Sequence, residues 1–403
     1  MHPPCLPIPA SGERAAAMLR AWLTRWMPLL ALALLTGCAP ARHWEAAQVL
    51  ADVAAGEAPS RLKARTAQPA RVVVHYTIAG RARAGDLYTP GAGAAKAGIV
   101  LVPGAVPLGK DDARIVAFAT TLARADFAVL VPEIPGFRDL RIHPSDARVV
   151  ADAFAWLAAR PDLAPGGRAG IAAFSYGVGP AVLAALEEDT RERVRFIFGV
   201  GGYHDLSRAI RYFTTGYYRA RGEWRHLLPD DYGKLVLARS ALPYLGQADA
   251  DLLAAMAERR LQDRAADLAD LAARLGPSGR AVYELIENRD PEAFAARFAR
   301  LPPRLRADLA ALSLHDKDLG GMSARLILVH GRNDNLIPWP ESRALGAALP
   351  PDQAHVYLLD AVLGHVDLSL SHVLSWQFLR HELPDLVRMW RAADRLLAER
   401  EGP

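Results

Sequence analysis

The chain has 403 residues, of which 51% are hydrophobic and 23% charged, with 29 Pro, 31 Gly and 2 Cys. This composition excludes a disordered or fibrous chain, and the length predicts one large domain with an insertion, or two domains. Two cysteines exclude a disulfide framework, and a formal net charge of +4, with basic and acidic residues interspersed, argues against nucleic acid as a partner.

The first segment, residues 1–37, predicts an export signal. Arg20 and Arg25 precede an apolar run over 26–35, and a basic stretch followed by an apolar core of about 10 residues is typical of a secretion signal. A membrane-spanning helix would need roughly 20 apolar residues. Residues 1–17 lack this pattern, so either Met1 or Met18 is expected to be the start.

The end of this signal, Leu35-Thr36-Gly37-Cys38, resembles the lipobox of bacterial lipoproteins. The resemblance implies cleavage before Cys38 and lipidation of its sulfur and of the new N-terminus, which would hold the protein to a membrane through several acyl chains. Because position 39 is not Asp, it also implies the periplasmic face of the outer membrane if the cell is Gram-negative.

Residues 38–69 are predicted to form a tether with one short helix. Trp44, Ala47, Leu50 and Val53 recur at helical spacing. The helix could dock on the body of the protein or lie on the membrane, and docking is the favoured interpretation.

The body begins with residues 70–202, where short apolar runs bounded by Gly or Pro alternate with helical stretches. The predicted strands of the whole chain are 71–79, 82–88, 98–102, 127–131, 168–174, 194–198, 325–329 and 355–359. The predicted helices between and after them are 111–124, 145–160, 176–188, 340–348 and 370–398. This alternation predicts an α/β fold with about eight strands in a mostly parallel sheet.

The alternation stops at residue 203 and resumes after 320. The stretch 203–320 is rich in helix-forming residues without a convincing strand, and it is too long for a structureless loop. It is predicted to be a helical cap inserted between strands 6 and 7, and residues 321–403 are predicted to complete the body.

A candidate nucleophile, Ser175, lies where the fifth strand ends and a helix begins. Ala173 and Gly177 stand on either side of it in the run Ala173-Phe174-Ser175-Tyr176-Gly177. A sharp strand-to-helix turn holds a serine in strained geometry and requires small residues at these two positions. The serine hydroxyl is then exposed at the edge of the sheet, beside a helix N-terminus that favours negative charge.

This run resembles the nucleophile elbow of the α/β-hydrolase family, with Ala173 in place of the first glycine of its motif. The family resemblance covers about 71–202 and 321–395 and implies Asp334, after the seventh strand, as the acid and His365, after the eighth, as the base. The order Ser175, Asp334, His365 is the family's order and not that of the trypsin-like or subtilisin-like proteases.

The resemblance also implies an oxyanion hole formed by two main-chain N–H groups. Tyr176 supplies one, and Ala105, in the loop after the third strand, supplies the other, with Val106 as the reserve. The chemistry needs no metal and no organic cofactor.

The cap interleaves arginines with aromatic residues, from Arg208 to Arg225. Amphipathic lid helices that pack on the body explain this pattern, and a lipid-binding lid whose arginines face anionic headgroups is the alternative. The predicted function is a membrane-tethered serine hydrolase of carboxylic esters, with small-molecule or lipid-like substrates. The alternatives are an acyltransferase or thioesterase of the same fold, or a non-catalytic lipid-binding lipoprotein.

Overall fold

The computed structural model describes residues 40–263, 265–361, 363 and 382–401. The strands, in chain order, are β1 (Ala70–Ile78), β2 (Arg81–Thr89), β3 (Ala97–Val102), β4 (Phe127–Pro132), β5 (Ala169–Phe174), β6 (Phe196–Val200), β7 (Tyr217–Ala220), β8 (Glu223–His226), β9 (Arg325–Gly331) and β10 (Ala354–Leu359). Eight of them form one sheet, and β7 and β8 form a separate hairpin.

The order of the large sheet is β1-β2-β4-β3-β5-β6-β9-β10. The pairs β1–β2 and β2–β4 are antiparallel, and the pairs from β4 through β3, β5, β6 and β9 to β10 are parallel. Strands β3, β4 and β6 are buried along their whole length, as strands covered on both faces by helices should be. The predicted fold, an eight-stranded and mostly parallel sheet, is confirmed.

The helices, in chain order, are α1 (Pro40–Ala55), α2 (Arg61–Arg65), α3 (Ala113–Arg124), α4 (Pro135–Arg138), α5 (Asp146–Ala158), α6 (Val178–Ala184), α7 (Leu206–Thr215), α8 (Tyr232–Ala241), α9 (Gln247–Gln262), α10 (Ala269–Ala272), α11 (Pro277–Ile286), α12 (Phe294–Ala299), α13 (Pro303–Ala311), α14 (Pro340–Ala347) and α15 (Leu383–Ala398). Helices α1, α3 and α15 cover one face of the sheet, and α5, α6 and α14 cover the other. Within the described ranges, no helix is both long and apolar enough to cross a membrane.

Helix α1 docks on the body, as favoured from the sequence. Trp390 of α15 donates its Nε1–H to the carbonyl of His43 at 2.8 Å, and Arg42 pairs with Asp394 at 2.9 Å. The predicted apolar stripe is offset, however, because Trp44 is 55% exposed while Ala46 is fully buried. The helix is thus held by polar contacts at its start as well as by apolar packing.

The segment between β6 and β9 leaves the sheet and returns to it at one place. The N–H of Leu314 donates to the carbonyl of His204 at 2.9 Å, and the hydroxyl of Tyr203 donates to the carbonyl of Leu312 at 3.0 Å. The two ends of the segment are therefore bonded side by side.

One expectation for this segment was wrong, because it contains the hairpin β7–β8. Its strands are joined by Arg221 and Gly222, whose φ angles are +54° and +84°. Two consecutive positive φ angles are those of the two-residue turns that match the twist of paired strands. The strands have only four residues each, too few for an alternating pattern to distinguish them from loops.

Candidate active site

The turn that carries Ser175 is strained. Strand β5 ends at Phe174, a single helical turn covers Ser175–Gly177, and α6 follows directly. Ser175 has a φ of +53°. A left-handed conformation costs a residue with a Cβ roughly 1–2 kcal/mol, so the packing around the turn must enforce it, and such strain is concentrated at functional sites.

The small residues beside Ser175 are required by this packing. A Cβ on Gly177 would lie 2.5 Å from the carbonyl oxygen of Pro103 and 3.0 Å from the Val102 side chain. Ala173, on the other side, is buried in the sheet. Since the first obstacle at Gly177 is main chain, even alanine would displace the turn from the neighbouring strand.

The loop after β3 runs beside the serine. A Cβ on Gly104 would lie 3.4 Å from the Cβ of Ser175 and 3.9 Å from its Oγ. The main-chain N–H of Tyr176 lies in the first turn of a helical segment, where N–H groups have no partner within the helix. The structure therefore brings Ser175 together with Tyr176 and Ala105, the two residues expected to form the oxyanion hole.

These three residues line one small apolar cavity of about 70 Å³. Most of its wall comes from the inserted segment, including Leu206, Ile210, Phe213, Val236 and Leu237. On the insertion side, Tyr232 of α8 donates its hydroxyl to the carbonyl of Ala105 at 2.7 Å. The inserted segment thus covers the serine and also holds the loop expected to bind an oxyanion.

The phenol of Tyr176 makes a buried polar contact. Its hydroxyl donates to Oδ2 of Asp146 at 3.0 Å, and the N–H of His143 donates to the same oxygen at 2.8 Å. The Tyr176 ring packs between Phe137 and Tyr203, at centroid distances of 5.4 and 6.1 Å. Burial raises the pKa of Asp146 to about 6, although the two donors oppose the shift.

Asp334, the expected acid, is buried on the turn after β9. Its Oδ1 accepts the N–H groups of Leu336 and Ile337, each at 2.8 Å. The same two residues line the cavity at Ser175. These main-chain donors fix the orientation of the carboxylate. It lies at the same edge of the sheet as Ser175, because β5 and β9 are parallel and end at the same edge.

His330, which ends β9 and is interpreted from the sequence as structural, contacts Asp334. The imidazole is fully buried, and its Nε2 lies 3.1 Å from Oδ2 of Asp334 and 2.9 Å from the carbonyl oxygen of Ile337. Both neighbours are acceptors, so Nε2 carries a proton. Nδ1 lies 2.7 Å from the hydroxyl of Ser342. This histidine does not line the cavity and serves to position the carboxylate.

Two of the predicted site residues, Cys38 and His365, lie outside the described residues. Among the described residues, no group of three or more His, Cys, Asp and Glu side chains is arranged to hold a metal ion.

Tyr232 and Asp146 are the residues that the sequence analysis missed, and for His330, interpreted as structural, it missed the contact with Asp334. For Tyr232 and Asp146 no local motif was available, because their partners are 127 and 30 residues away. For His330 a signal existed: it precedes Asp334 by four residues across a tight turn, a spacing that brings side chains together.

The sheet order, the flanking helices and a serine on the turn after β5 define an α/β-hydrolase fold.

No protein-family model matches the chain, and no curated protein matches it. Among solved structures, similar chains include a 2,6-dihydroxy-pseudo-oxynicotine hydrolase, with a TM-score of 0.44 and 12% identity, over 82% of this chain and 69% of that chain. A meta-cleavage product hydrolase from Pseudomonas fluorescens has a TM-score of 0.41 and 18% identity, over 81% and 98% of the two chains. An esterase from Pyrococcus furiosus has a TM-score of 0.41 and 11% identity, over 82% and 92%. Likeness at this level says nothing about activity, and the fold assignment rests on the strand order.

Proposed function

We propose that the protein is a serine hydrolase that cleaves carboxylic esters through an acyl-enzyme on Ser175. The observation that carries the proposal is the strained φ of +53° at Ser175, on the turn after a central strand, with Gly104 and an apolar cavity beside it. Ala79, Asp126 and Leu140 also have positive φ, but Ser175 combines this conformation with small neighbours, a helix start and an apolar cavity, a combination typical of functional sites.

In the proposed mechanism, the Oγ of Ser175 attacks the ester carbonyl and gives its proton to His365. The oxyanion is stabilised by the N–H groups of Tyr176 and Ala105, and the leaving alcohol departs with the proton from the histidine. Water, deprotonated by the same imidazole, then attacks the acyl-enzyme and releases the acid. Asp334 orients the imidazole, and the donors from Leu336 and Ile337 keep its carboxylate in place.

The apolar cavity wall supports substrates with an apolar acyl group. The residues from α7 and α8 offer carbon surface and few polar partners, so an acyl chain buried there gains hydrophobic stabilisation without losing hydrogen bonds. An acyltransferase would use the same acyl-enzyme but resolve it with an alcohol, and a thioesterase would differ in the leaving group.

The test is covalent labelling with a fluorophosphonate, followed by mass spectrometry of the modified peptide. We expect an adduct on Ser175 and its loss in Ser175→Ala. The matched control is Ser145→Ala, because Ser145 has an imidazole partner, His143 at 2.7 Å, as the mechanism requires of a nucleophile, but is exposed and outside the elbow. A folded wild-type protein that remained unlabelled would refute the proposal.

The reaction type follows from a second measurement on the same protein. Hydrolysis of an ester panel of graded chain length would define the acyl preference, and added acceptor alcohol would distinguish the two fates of the acyl-enzyme. New ester in excess of released acid would favour the acyltransferase. Labelling of Ser175 without turnover of any ester or thioester would instead favour lipid binding.

We also propose that Cys38 is lipidated and anchors the protein to the cell envelope. The support is the lipobox-like run 35–38 after a short apolar core. Replacement of Cys38 by Ser should release the protein from membranes, as measured by fractionation of cells that express it. Unchanged membrane association would count against the anchor.

A further inference from the structure

The hairpin β7–β8 and the turn after β9 enclose a second cleft, of about 180 Å³. Its lining consists of Tyr218, Ala220, Arg221 and Arg225 from the hairpin, and Arg332 and Trp339 from the body. None of these lining residues is acidic. Three guanidinium groups from two distant parts of the chain thus converge on one concave surface.

The two hairpin arginines are weakly neutralised. Arg225 pairs with Glu223 at 2.6 Å, but both side chains are more than half exposed, and exposed pairs of this kind contribute little. Arg221 forms no ion pair with any residue in the described part of the chain. Positive charge therefore remains available at this rim of the cleft.

Arg332 is held in place on the opposite rim. Its guanidinium lies 4.4 Å from the centroid of the Trp339 ring, and its Nε donates to Oδ1 of Asp360 at 2.8 Å. The other oxygen of Asp360 binds Arg388, also at 2.8 Å, so this carboxylate is shared between two cations. Arg332 is consequently preorganised but only partly neutralised.

The turn of the hairpin carries arginine where the backbone favours another residue. Arg221 has a φ of +54°, and Asn, Asp or Gly is the usual occupant of such a position in a two-residue hairpin turn. A residue with a Cβ at this position lowers the stability of the hairpin. The next residue, Gly222, follows the usual preference, since its φ is +84°. Because Ala79, Asp126 and Leu140 also have positive φ, the conformation alone assigns no role to Arg221, and the convergence of three arginines on one cleft is the feature that indicates a ligand.

We propose that Arg221, Arg225 and Arg332 form a binding site for a phosphate group. The planar guanidinium presents paired donors that match the oxygens of phosphate, and Tyr218 and Trp339 supply flat surface for the organic part of a ligand. The phosphate is either a free phosphate group of a small molecule or the headgroup of a phospholipid.

The location of this site relates it to the candidate active site. Tyr218 packs edge-on against Tyr212 at 5.5 Å, and the Tyr212 hydroxyl donates to the carbonyl of Asp334 at 3.2 Å. Arg332 precedes Asp334 by two residues. A phosphate in the cleft would therefore lie against the acid-bearing turn, although the site does not depend on ester hydrolysis.

The experiment measures binding rather than turnover, in the full chain carrying Ser175→Ala. Inorganic phosphate and monomeric dihexanoyl phosphatidylglycerol are titrated separately by calorimetry at fixed ionic strength, with dihexanoyl glycerol as the uncharged reference. We expect saturable binding of at least one phosphate probe and none of the reference. Tighter binding of the lipid would assign a headgroup, and equal binding a free phosphate group.

Two variants separate recognition from folding. Arg221→Asn removes the charge but suits the positive φ, so it should weaken phosphate binding by about fivefold while the melting temperature stays equal or rises. Arg332→Gln should weaken binding by about tenfold.

The matched control is Arg160→Gln, because Arg160 also stacks on a tryptophan, Trp156 at 5.0 Å, and pairs with an aspartate, Asp162 at 3.1 Å. It should leave the affinity within about twofold, as expected for an exposed charge elsewhere. The proposal is overturned if neither phosphate probe binds, or if Arg221→Asn binds as the parent does. Should Arg332→Gln fail to fold, Arg221→Asn decides the question.

Discussion

The sheet and the inserted segment between β6 and β9 both pack through apolar side chains, but the insertion is also fixed by buried polar groups. Strands β3, β4 and β6 are buried throughout and pack through apolar side chains alone. The insertion packs on the body through apolar side chains such as Leu206 and Ile210, and it adds buried polar contacts at its start. Glu341 of α14 accepts the N–H groups of His204 and Asp205, at 3.1 and 2.8 Å, and pairs with Arg208 at 2.8 Å. Side chains of the central strands are thus held by apolar packing, whereas directional bonds add to apolar packing where the insertion meets the body.

The largest expected effect concerns the sheet, at Ser175 on the turn after β5. Ser175→Gly should reduce ester hydrolysis by about a thousandfold or more, because the nucleophile is lost. It should also raise the free energy of unfolding by about 1 kcal/mol, because glycine tolerates the φ of +53°. Ser175→Ala is the comparison, since it keeps the Cβ and therefore the strain. Equal stability of the two variants would contradict the strained elbow.

Where the insertion meets the body, Glu341→Ala should lower the free energy of unfolding by about 2–3 kcal/mol, mainly because the N–H groups of His204 and Asp205 lose their acceptor. The loss of the Arg208 pair adds little, because its side chain is 38% exposed and keeps Asp205 as a neighbour at 3.7 Å. Urea denaturation measures the loss, and limited proteolysis should show earlier cleavage within 203–320. Glu341→Gln keeps an acceptor and should cost less. A loss below 1 kcal/mol for the alanine variant would mean that apolar contacts suffice to hold the insertion.

Asp146, which accepts a hydrogen bond from Tyr176 beside the elbow, should make the free energy of unfolding depend on pH. Its pKa is raised to about 6 by burial, whereas an aspartate in the unfolded chain titrates near 3.9. Between these values the folded protein holds a proton that the unfolded chain has lost, so stability present below about pH 4 is lost as the pH rises through about 6.

Asp146→Asn removes this dependence while keeping an oxygen to accept from Tyr176 and His143. Relative to wild type, the variant should therefore gain about 2–3 kcal/mol in unfolding free energy between pH 4 and pH 7. Denaturation at a series of pH values measures the gain. If the unfolding free energies of wild type and variant changed in parallel with pH, Asp146 would not be the source of the pH dependence.

The smallest expected effect concerns the contact between the insertion and the oxyanion loop. Tyr232→Phe removes the hydrogen bond to the carbonyl of Ala105, which fixes the peptide plane between Ala105 and Val106. We expect kcat to fall by about three- to tenfold with KM nearly unchanged, because the loop is needed most in the transition state.

Tyr244→Phe is the control for this effect. Its hydroxyl also donates within the insertion, to Asp308 at 2.5 Å, but it does not line the cavity. A similar fall in kcat for both variants would mean that the insertion acts through its general stability and not through Tyr232.

The sequence predicted the strands of the large sheet to within two residues at each end. Such strands are short apolar runs between Gly or Pro, and burial on both faces produces that pattern directly. The hairpin β7–β8 was not predicted, because four-residue strands with half-exposed side chains carry no pattern. Part of the last predicted helix, 370–398, was placed correctly as α15, which begins at Leu383, and the part before Glu382 lies outside the described residues.

For the site, the sequence by itself determined the elbow at Ser175 and the turn of Asp334. Small residues around a serine at a strand end, and an acidic turn after a later strand, are local features, and parallel strands bring their ends to one edge. Only the tertiary structure decided that Tyr232 binds the loop of Ala105 and that Arg332 faces the arginines of the hairpin. These two contacts depend on how the insertion docks on the sheet, and docking is set by shape and directional bonds between residues that are far apart in the chain. The contact of His330 with Asp334 is local, since the two residues are four positions apart on one turn.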